Sequence, residues 1–189
     1  MRIIGVIGNT RGTLGYRALR PPEHRGNEAV AHRILVVLGE GGHSAELLRL
    51  VPELRSAGDV TFLATTNDVL AEAWVPEEDV LDRVRRPRHK ESTRVGTVAD
   101  LIRCVIGCFV VAWRRKPTVI VSSGPGVGAV MCWVGWLAGS RIVFVETIAR
   151  VTGLSMAGRL TRPIADRFFV QWPQAQNQAP GAIYAGQLM

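Results

Sequence analysis

The chain has 189 residues, 47% of them hydrophobic, and a formal net charge of +7. This length allows one α/β domain with a buried core and leaves little room for a second domain. The positive charge favours anionic partners such as nucleic acid, acidic lipid headgroups or phosphorylated substrates, without choosing among them. The five Trp, five Phe and two Tyr residues form no stripe for stacking on single-stranded nucleic acid, so we expect no nucleic-acid partner.

Residues 1–32 differ in composition from the rest of the chain. They contain Gly, Pro, Arg and Asn without sustained hydrophobic periodicity. The run from Arg20 to Gly26 contains two Pro residues and a Gly, as is typical of a linker. The apolar run at the N-terminus is too short for a secretory signal, and Arg11 follows it closely. We therefore interpret residues 1–32 as a disordered extension and residues 33–189 as the folded domain.

Apolar runs and helical patterns alternate from Arg33 onward. The continuous apolar runs over 34–38 and 60–64 predict strands that are buried on both faces. A helix is predicted from about Ser44, and Pro52 is expected to kink or restart it. The remaining pattern predicts a weaker strand over 80–84, helices over 97–115 and 127–138, and strands over 119–121, 142–145 and 168–170. This alternation is typical of a Rossmann-like, doubly wound parallel sheet in the α/β class.

The segment from Val119 to Ser140 carries no charge for 22 residues, which is long enough to cross a bilayer. The run Ser122-Ser123-Gly124-Pro125-Gly126 interrupts its first half, and a lipid-exposed helix tolerates such a break poorly. We therefore predict a buried strand, a tight loop and a buried helix here.

The three cysteines, Cys104, Cys108 and Cys132, all lie in apolar segments. Their odd number argues against a disulfide framework and favours a reducing cytosol. Cys104 and Cys108 are four residues apart, but no His or second Cys pair nearby completes a metal site. We therefore predict buried, unpaired cysteines and no metal site.

Ligands of such a sheet bind at the carboxyl ends of the strands, and the first strand ends in Gly39-Glu40-Gly41-Gly42-His43. Glycines let the backbone approach a ligand closely, and the start of the following helix offers free N–H groups, which suits a phosphate or diphosphate. His43 could act as a general base or bind a substrate hydroxyl. The alternative is a glycine turn with an exposed His, and the G-x-G-x-x-G spacing of dinucleotide-binding proteins is absent.

Two further strand ends carry candidate ligands. The run from Ser122 to Gly128 offers two hydroxyls and several amides for an anion, or is simply a tight turn. Glu146 could hold a sugar hydroxyl or a catalytic side chain, and Arg150 could pair with a phosphate, unless these two residues form an ion pair on the rim. If the predicted topology is right, these loops converge at one edge of the sheet.

Positive charge is concentrated between Arg83 and Arg94, where six cations accompany one acid, Glu91. The helix that follows is apolar on nearly all sides over 101–113, and Arg114-Arg115-Lys116 follow at its carboxyl end. Such a helix can lie at an anionic membrane surface, although a buried core helix with solvated ends is the alternative. The predicted membrane contacts are Arg85, Arg86, Arg103, Phe109, Trp113, Arg114 and Arg115.

A series of motifs between residue 33 and the C-terminus resembles a known family, the PssD-like bacterial glycosyltransferase subunits, which are related to asparagine-linked glycosylation protein fourteen of eukaryotes. The series begins with Leu38-Gly39-Glu40-Gly41-Gly42-His43, followed by Glu46-Leu47-Leu48-Arg49-Leu50. It continues with Val121-Ser122-Ser123-Gly124-Pro125-Gly126, Phe144-Val145-Glu146-Thr147-Ile148-Ala149-Arg150-Val151 and Leu154-Ser155-Met156-Ala157-Gly158-Arg159-Leu160. It ends with Ala165-Asp166-Arg167-Phe168-Phe169-Val170-Gln171-Trp172-Pro173 and the closing Ala182-Ile183-Tyr184-Ala185-Gly186. The family is similar to the N-terminal half of MurG-like glycosyltransferases of the GT-B fold. The chain is thus expected to be a single N-terminal-type half of a GT-B enzyme.

The resemblance implies an acceptor-binding, membrane-associating subunit that is active with a PssE-like donor-binding partner. The two chains would transfer a sugar from a nucleotide sugar, such as a UDP-sugar, to a polyprenyl-diphosphate-linked acceptor in polysaccharide biosynthesis. The chain would act peripherally at the cytoplasmic face of the cell membrane, without a tightly bound cofactor.

The resemblance also implies roles for individual residues. His43 and Glu146 would be catalytic, with His43 as the base that deprotonates the acceptor hydroxyl. The acceptor diphosphate would lie near Gly41, Gly42, Ser123, Gly124, Gly126 and Arg150.

The chain departs from the family's pattern in three respects. Residues 1–32 are unmatched, Glu40 places a negative charge beside the expected phosphate site, and the N-terminal membrane anchor of the eukaryotic relatives is not found. Two alternatives stay open. One is a non-catalytic membrane scaffold that recruits the donor-binding subunit, and the other is an unrelated nucleotide-binding Rossmann protein.

Overall fold

A computed structural model of the chain describes residues 32–39, 42–66, 68–87, 94–124 and 126–188. The predicted extension over 1–32 lies outside the described residues except for His32, which begins the first strand. The strands are β1 (His32–Val37), β2 (Gly58–Thr65), β3 (Leu81–Val84), β4 (Val119–Ser122), β5 (Arg141–Val145), β6 (Arg167–Val170) and β7 (Ile183–Tyr184). The helices are α1 (Gly42–Leu48), α2 (Val51–Ala57), α3 (Val69–Trp74), α4 (Arg94–Arg115), α5 (Val127–Leu137) and α6 (Met156–Thr161), with 3-10 turns at Arg162–Ile164 and Pro173–Gln178.

The seven strands form one sheet in the order β3-β2-β1-β4-β5-β6-β7, and every neighbouring pair is parallel. In the centre, Ile34 of β1 lies beside Val119 of β4, and Val37 lies beside Ser122. This is the strand order of a doubly wound Rossmann sheet. The predicted fold class is therefore confirmed.

Helices cover both faces of the sheet, so alternate residues of each strand enter different cores. Ile34 and Val36 belong to one buried cluster, with Leu47 of α1 and Leu54 of α2. Leu35 and Val37 belong to the other cluster, which holds side chains of α4 and α5. Burial on both faces explains why the strands are continuous apolar runs.

Most predicted elements are present, with changes at the short ones. Pro52 lies in the first turn of α2, which restarts the chain after α1 as predicted. The uncharged run 119–140 forms β4, a loop and α5, also as predicted, and all three cysteines are free and buried. The sequence pattern did not predict α3, α6 or β7, which have six, six and two residues.

The long helix α4 packs one side on the sheet and presents an apolar side to solvent. Cys104, Cys108 and Val111 are buried, whereas Ile106, Phe109 and Trp113 are exposed. By length and composition alone, Gly96–Arg115 is the one helical stretch among the described residues that could cross a membrane.

Candidate functional site

In a sheet of this strand order, the crevice expected at the carboxyl edge lies between β1 and β4. The chain continues from β1 to β2 on one side, whereas β4 pairs with β1 on the other side. The following helices lie on opposite faces, since Leu47 of α1 and Met131 of α5 belong to different buried clusters. Where helices diverge in this way, the loops leave room for a ligand.

The loops after β1 and β4 meet in this crevice, as the sequence predicts. The Ser123 hydroxyl donates a hydrogen bond of 3.3 Å to the backbone carbonyl of His43. Ser123 is itself buried, so its side chain joins the two loops. Gly42 is exposed at the start of α1, with open space where a Cβ would lie, whereas Gly41 falls outside the described residues.

His43 lies in the first turn of α1 and is half-buried. Its Nδ1 atom is buried and has no hydrogen-bond partner among the residues that the structure describes. A buried ring nitrogen without a partner is uncommon because desolvation is costly. The hydrogen-bonding capacity of this ring nitrogen is therefore unused among the described residues.

The loop after β4 is held tightly between two neighbouring segments. Gly124 has a φ of +83°, and a Cβ at this position would lie 2.9 Å from the Cβ of Ala157 in α6. Gly126 has a φ of +26°, and its Cβ would lie 2.9 Å from Cγ of Pro87. The Gly124 N–H donates to the Ser122 hydroxyl at 3.2 Å, so this amide is already occupied. The glycines give the loop its close fit, and an anion would need other donors.

Glu146, at the end of β5, lies in the interior and not on the rim. Its carboxylate accepts hydrogen bonds from the backbone N–H groups of Thr147 at 3.1 Å and Ser155 at 3.0 Å. Burial raises the pKa of this carboxyl group, and the hydrogen bonds from Ser155 and Thr147 and the charge of Arg150 oppose that rise less strongly. Arg150 is exposed, and no salt bridge between it and Glu146 is found within the described ranges. Glu146 thus holds together the two ends of the loop over 147–155.

A second buried carboxylate, Glu46, was given no role by the sequence analysis. It projects from α1 and accepts hydrogen bonds from the Thr147 hydroxyl at 2.9 Å and from the Ile148 N–H at 3.2 Å. The Gln171 side-chain amide donates to the same carboxylate at 2.6 Å. Glu46 therefore connects the segments that follow β1, β5 and β6.

Gln171 extends this network to the C-terminal segment. Its amide also donates to the Glu146 carbonyl at 3.1 Å, and its carbonyl oxygen accepts from the Leu188 N–H at 2.7 Å. In the sequence, Gln171 is a polar residue directly after the apolar strand 168–170 and is part of a motif of the family resemblance. A pattern of this kind indicates a strand end but does not identify partners more than 100 residues away.

The predicted membrane contacts fall into two groups. Phe109 and Trp113 are exposed on α4, and the Arg103 side chain is 57% exposed and lies 3.5 Å from Asp100. Arg114 and Arg115 instead both bind the buried carboxylate of Asp82 in β3. Arg85 is exposed and Arg86 half-buried just beyond β3. The structure adds exposed apolar residues that the prediction omitted, namely Val98, Leu101, Ile102, Ile106 and Val110 on α4, Trp133, Trp136 and Leu137 on α5, and Met156 and Leu160 on α6.

Solved structures share this fold at low sequence identity. MurG from Acinetobacter baumannii matches with a TM-score of 0.69 at 12% identity, over 82% of this chain and 46% of MurG. A UDP-GlcNAc 2-epimerase from Neisseria meningitidis, solved bound to UDP-GlcNAc, matches with a TM-score of 0.62 at 13% identity, over 82% of this chain and 46% of the epimerase. The chain spans about half the length of these structures. The class is therefore a single Rossmann-like unit that resembles one half of the GT-B fold of MurG.

Sequence comparison identifies the family within that class. The family described as "Oligosaccharide biosynthesis protein Alg14 like" matches residues 34–188. A protein of Yarrowia lipolytica named UDP-N-acetylglucosamine transferase subunit ALG14 is 30% identical over 83% of this chain and 81% of its own length. The human protein of the same name is 30% identical over 82% of each chain. The chain belongs to the Alg14-like family, as its motifs indicated.

Proposed function

We propose that this chain is the acceptor-binding, membrane-associating subunit of a two-component glycosyltransferase. With a PssE-like donor-binding subunit, it would transfer a sugar from a UDP-sugar to a polyprenyl-diphosphate-linked acceptor in polysaccharide biosynthesis. The observation that carries this proposal is the crevice between β1 and β4, where His43 has an unpartnered ring nitrogen in the fold of one half of MurG. The coarser role, a glycosyltransferase subunit, is supported by the names of the curated relatives.

His43 is assigned the role of the general base. It would accept the proton of the acceptor hydroxyl while that oxygen attacks the anomeric carbon and the bond to the UDP leaving group breaks. The open space beside Gly42 leaves room for the acceptor to approach the imidazole. Glu146 is assigned a positioning role, because its carboxylate is fully buried and bound to backbone N–H groups.

Membrane association is assigned to the exposed side of α4. Ile106, Phe109 and Trp113 are 57%, 48% and 80% exposed, which is unusual for large apolar side chains of a Rossmann helix. Arg103 and Arg85 supply positive charge for acidic headgroups at the cytoplasmic face. The helix would lie on the surface, because its other side is packed on the sheet.

A partner is proposed because the relatives are named as transferase subunits and because this fold is half of MurG. The partner would bind the UDP-sugar and close over the carboxyl edge of the sheet. We expect the isolated chain to bind UDP-sugars weakly.

The test is reconstitution of transfer from purified components. The full chain and a PssE-like donor-binding subunit are mixed with radiolabelled UDP-GlcNAc and a polyprenyl-diphosphate-linked GlcNAc acceptor. Label is expected in the lipid extract when both chains are present and not when either is omitted. No transfer by a complex that assembles stably, with UDP-GlcNAc or other common nucleotide sugars, would refute the proposal.

One observation favours a second candidate, a non-catalytic membrane scaffold. The Ser123 hydroxyl and the Glu146 carboxylate are both used in internal hydrogen bonds, as expected for groups with structural roles. A scaffold would recruit the donor-binding subunit to the membrane without supplying a catalytic group. Replacement of His43 separates these candidates.

A further inference from the structure

The position of the His43 ring depends on how helix α1 is held. The buried Nδ1 atom of this ring has no hydrogen-bond partner within the described ranges, so it does not fix the imidazole. The place of the ring therefore follows from the backbone of α1. This helix has seven residues, and a helix so short owes its stability to tertiary contacts and not to its own hydrogen bonds.

Two hydrogen-bonded contacts connect α1 to segments that follow other strands. In its first turn, the His43 backbone carbonyl accepts from the Ser123 hydroxyl at 3.3 Å, which joins α1 to the loop after β4. One turn later, the Glu46 carboxylate accepts from groups that follow β5 and β6. Leu47 packs in the core beside them, but apolar contacts are non-directional, whereas hydrogen bonds are directional. The two polar contacts thus set the rotation of α1.

The contact through Glu46 is the stronger of the two. Its carboxylate accepts from the Gln171 amide at 2.6 Å, the Thr147 hydroxyl at 2.9 Å and the Ile148 N–H at 3.2 Å. Glu46, Thr147 and Gln171 are at most 7% exposed, so water does not compete for these hydrogen bonds. A carboxylate accepts hydrogen bonds that are roughly twice as strong as those between neutral groups. No salt bridge to Glu46 is found in the described part of the chain, so these donors orient it.

We propose that Glu46 is a positioning residue for sugar transfer, which acts through α1 to set the distance between the His43 imidazole and the acceptor hydroxyl. Gln171 is its principal partner, because its amide makes the shortest of the three hydrogen bonds. A displacement of about 1 Å can lower a rate about 10²-fold, so a small rotation of α1 is sufficient to matter. The inference rests on the proposed function and adds to it a residue that acts on the base and not on the substrate.

The first test is a double-mutant cycle between Glu46 and His43 in the reconstituted complex. Glu46→Gln keeps the shape of the side chain but turns an N–H₂ group towards its donors. It is expected to lower kcat at least about tenfold, with KM for the acceptor within about twofold of the unaltered value. In a His43→Ala background the same change should lower kcat by less than about twofold, because no base is left to misplace. Equal factors in the two backgrounds would overturn the inference.

Gln171 offers a rescue of Glu46→Gln. Gln171→Glu alone places two carboxylates opposite each other and should lower kcat at least about tenfold. In Glu46→Gln/Gln171→Glu the amide and the carboxylate exchange positions, so the hydrogen bond between the two side chains is kept. The double variant should recover at least about fivefold in kcat relative to Glu46→Gln. Single losses that simply multiply in the double variant would contradict the proposed pairing.

Two control variants separate positioning from a general loss of stability. Glu77→Gln makes the same chemical change at an exposed position, and Gly139→Ala strains the turn between α5 and β5, where φ is +88°. Both should keep kcat within about twofold when every variant is assayed at a temperature at which circular dichroism shows it folded. A drop in Gly139→Ala as large as that in Glu46→Gln would assign the effect to stability and overturn the inference.

The second test does not depend on transfer. The ring signals of the four histidines are recorded by proton–carbon NMR of the full chain, and His43→Ala identifies those of His43. Glu46→Gln should shift the His43 signals and leave those of His32, at the amino end of β1, in place. Glu46→Gln/Gln171→Glu should move them back towards their original positions.

The two tests distinguish failure of this inference from failure of the proposed function. His43 signals that do not move in Glu46→Gln would overturn the inference, whether or not the complex transfers sugar. If the signals move as expected but the unaltered complex transfers no sugar, the proposed function fails, while the dependence of the ring position on Glu46 stands.

Discussion

His43 is the residue on which the two candidate functions differ most. In the reconstituted complex, His43→Ala is expected to lower kcat/KM roughly 10²–10⁴-fold, because the acceptor hydroxyl would lose its general base. Radiolabel transfer at several acceptor concentrations measures the change, and co-purification shows whether the partner still binds. His32→Ala, at the amino end of β1, is the control. Activity within about twofold of the unaltered complex would support the scaffold instead.

We expect the stability of the chain to depend on pH through Glu146, because burial raises the pKa of its carboxyl group above the ordinary value of 4.5. The folded state therefore favours the neutral carboxyl group. The stability that this preference contributes is present below pH 4.5 and is lost as the pH rises through the folded-state pKa. Relative to Glu146→Gln, the unaltered chain should thus lose stability as the pH rises from 4.5, in urea unfolding at several pH values. A stability difference between the unaltered chain and Glu146→Gln that does not change with pH would contradict this expectation.

At the scale of an element, the loop between β4 and α5 depends on Gly124. Gly124→Ala places a side chain at a φ of +83° and against Ala157, so we expect a loss of about 2–4 kcal/mol in the free energy of unfolding. Gly139→Ala has a similar φ of +88° with no atom within 4 Å, and should lose about 1–2 kcal/mol. Ala157→Gly should restore part of the loss in the first variant and none in the second. Equal losses in urea unfolding would show that the contact with Ala157 is unimportant.

The exposed apolar side of α4 is predicted to bind acidic membranes. Ile106→Glu/Phe109→Glu should weaken binding to vesicles that contain acidic phospholipids at least tenfold. Two apolar side chains that would enter the bilayer surface are replaced by carboxylates, which acidic headgroups repel. Vesicle flotation measures the bound fraction. The control is Val80→Glu, which makes the same apolar-to-acidic change at a partly exposed position before β3. Binding should also fall as salt is raised, since headgroup attraction is screened. Unchanged flotation of the double variant would remove α4 from the membrane surface.

At the scale of the whole molecule, Glu46 and Gln171 connect elements that are distant in sequence. Glu46→Gln should cost about 2–3 kcal/mol in the free energy of unfolding, because an amide N–H₂ would face the donors of Thr147, Ile148 and Gln171. Glu77→Gln, on the surface, should change it by less than about 0.5 kcal/mol. The two values are compared by urea unfolding at neutral pH. Similar losses would mean that the network contributes little.

The parts of the fold that the sequence predicted are those with strong local patterns. β1 and β4 are apolar on both faces, so periodicity alone indicated buried strands and, with the helices between them, a parallel sheet. The short elements α3, α6 and β7 carry too few residues to show a period. Their positions depend on packing and on strand pairing, which local patterns do not encode.

The candidate site was predicted in part for a similar reason. His43 and the glycines of the loop after β4 are visible in the sequence because they follow apolar strands. Glu46 looks like an ordinary polar residue of a helix, and its partners Thr147 and Gln171 are 101 and 125 residues away. Met156 and Leu160 of α6 were missed because the exposure of an apolar side chain is recognised only when its surroundings are known.

The pairing of β1 with β4 has a consequence for synthesis on the ribosome. The partners in these two strands, such as Ile34 and Val119, are separated by the whole of β2, β3 and α4. When α4 has been made, the α5 segment that packs against it does not yet exist, so the side of α4 that α5 will cover is still exposed. Non-local pairing of this kind is slow and prone to aggregation. The apolar sides of α4 are therefore least covered during the interval between completion of α4 and completion of α5.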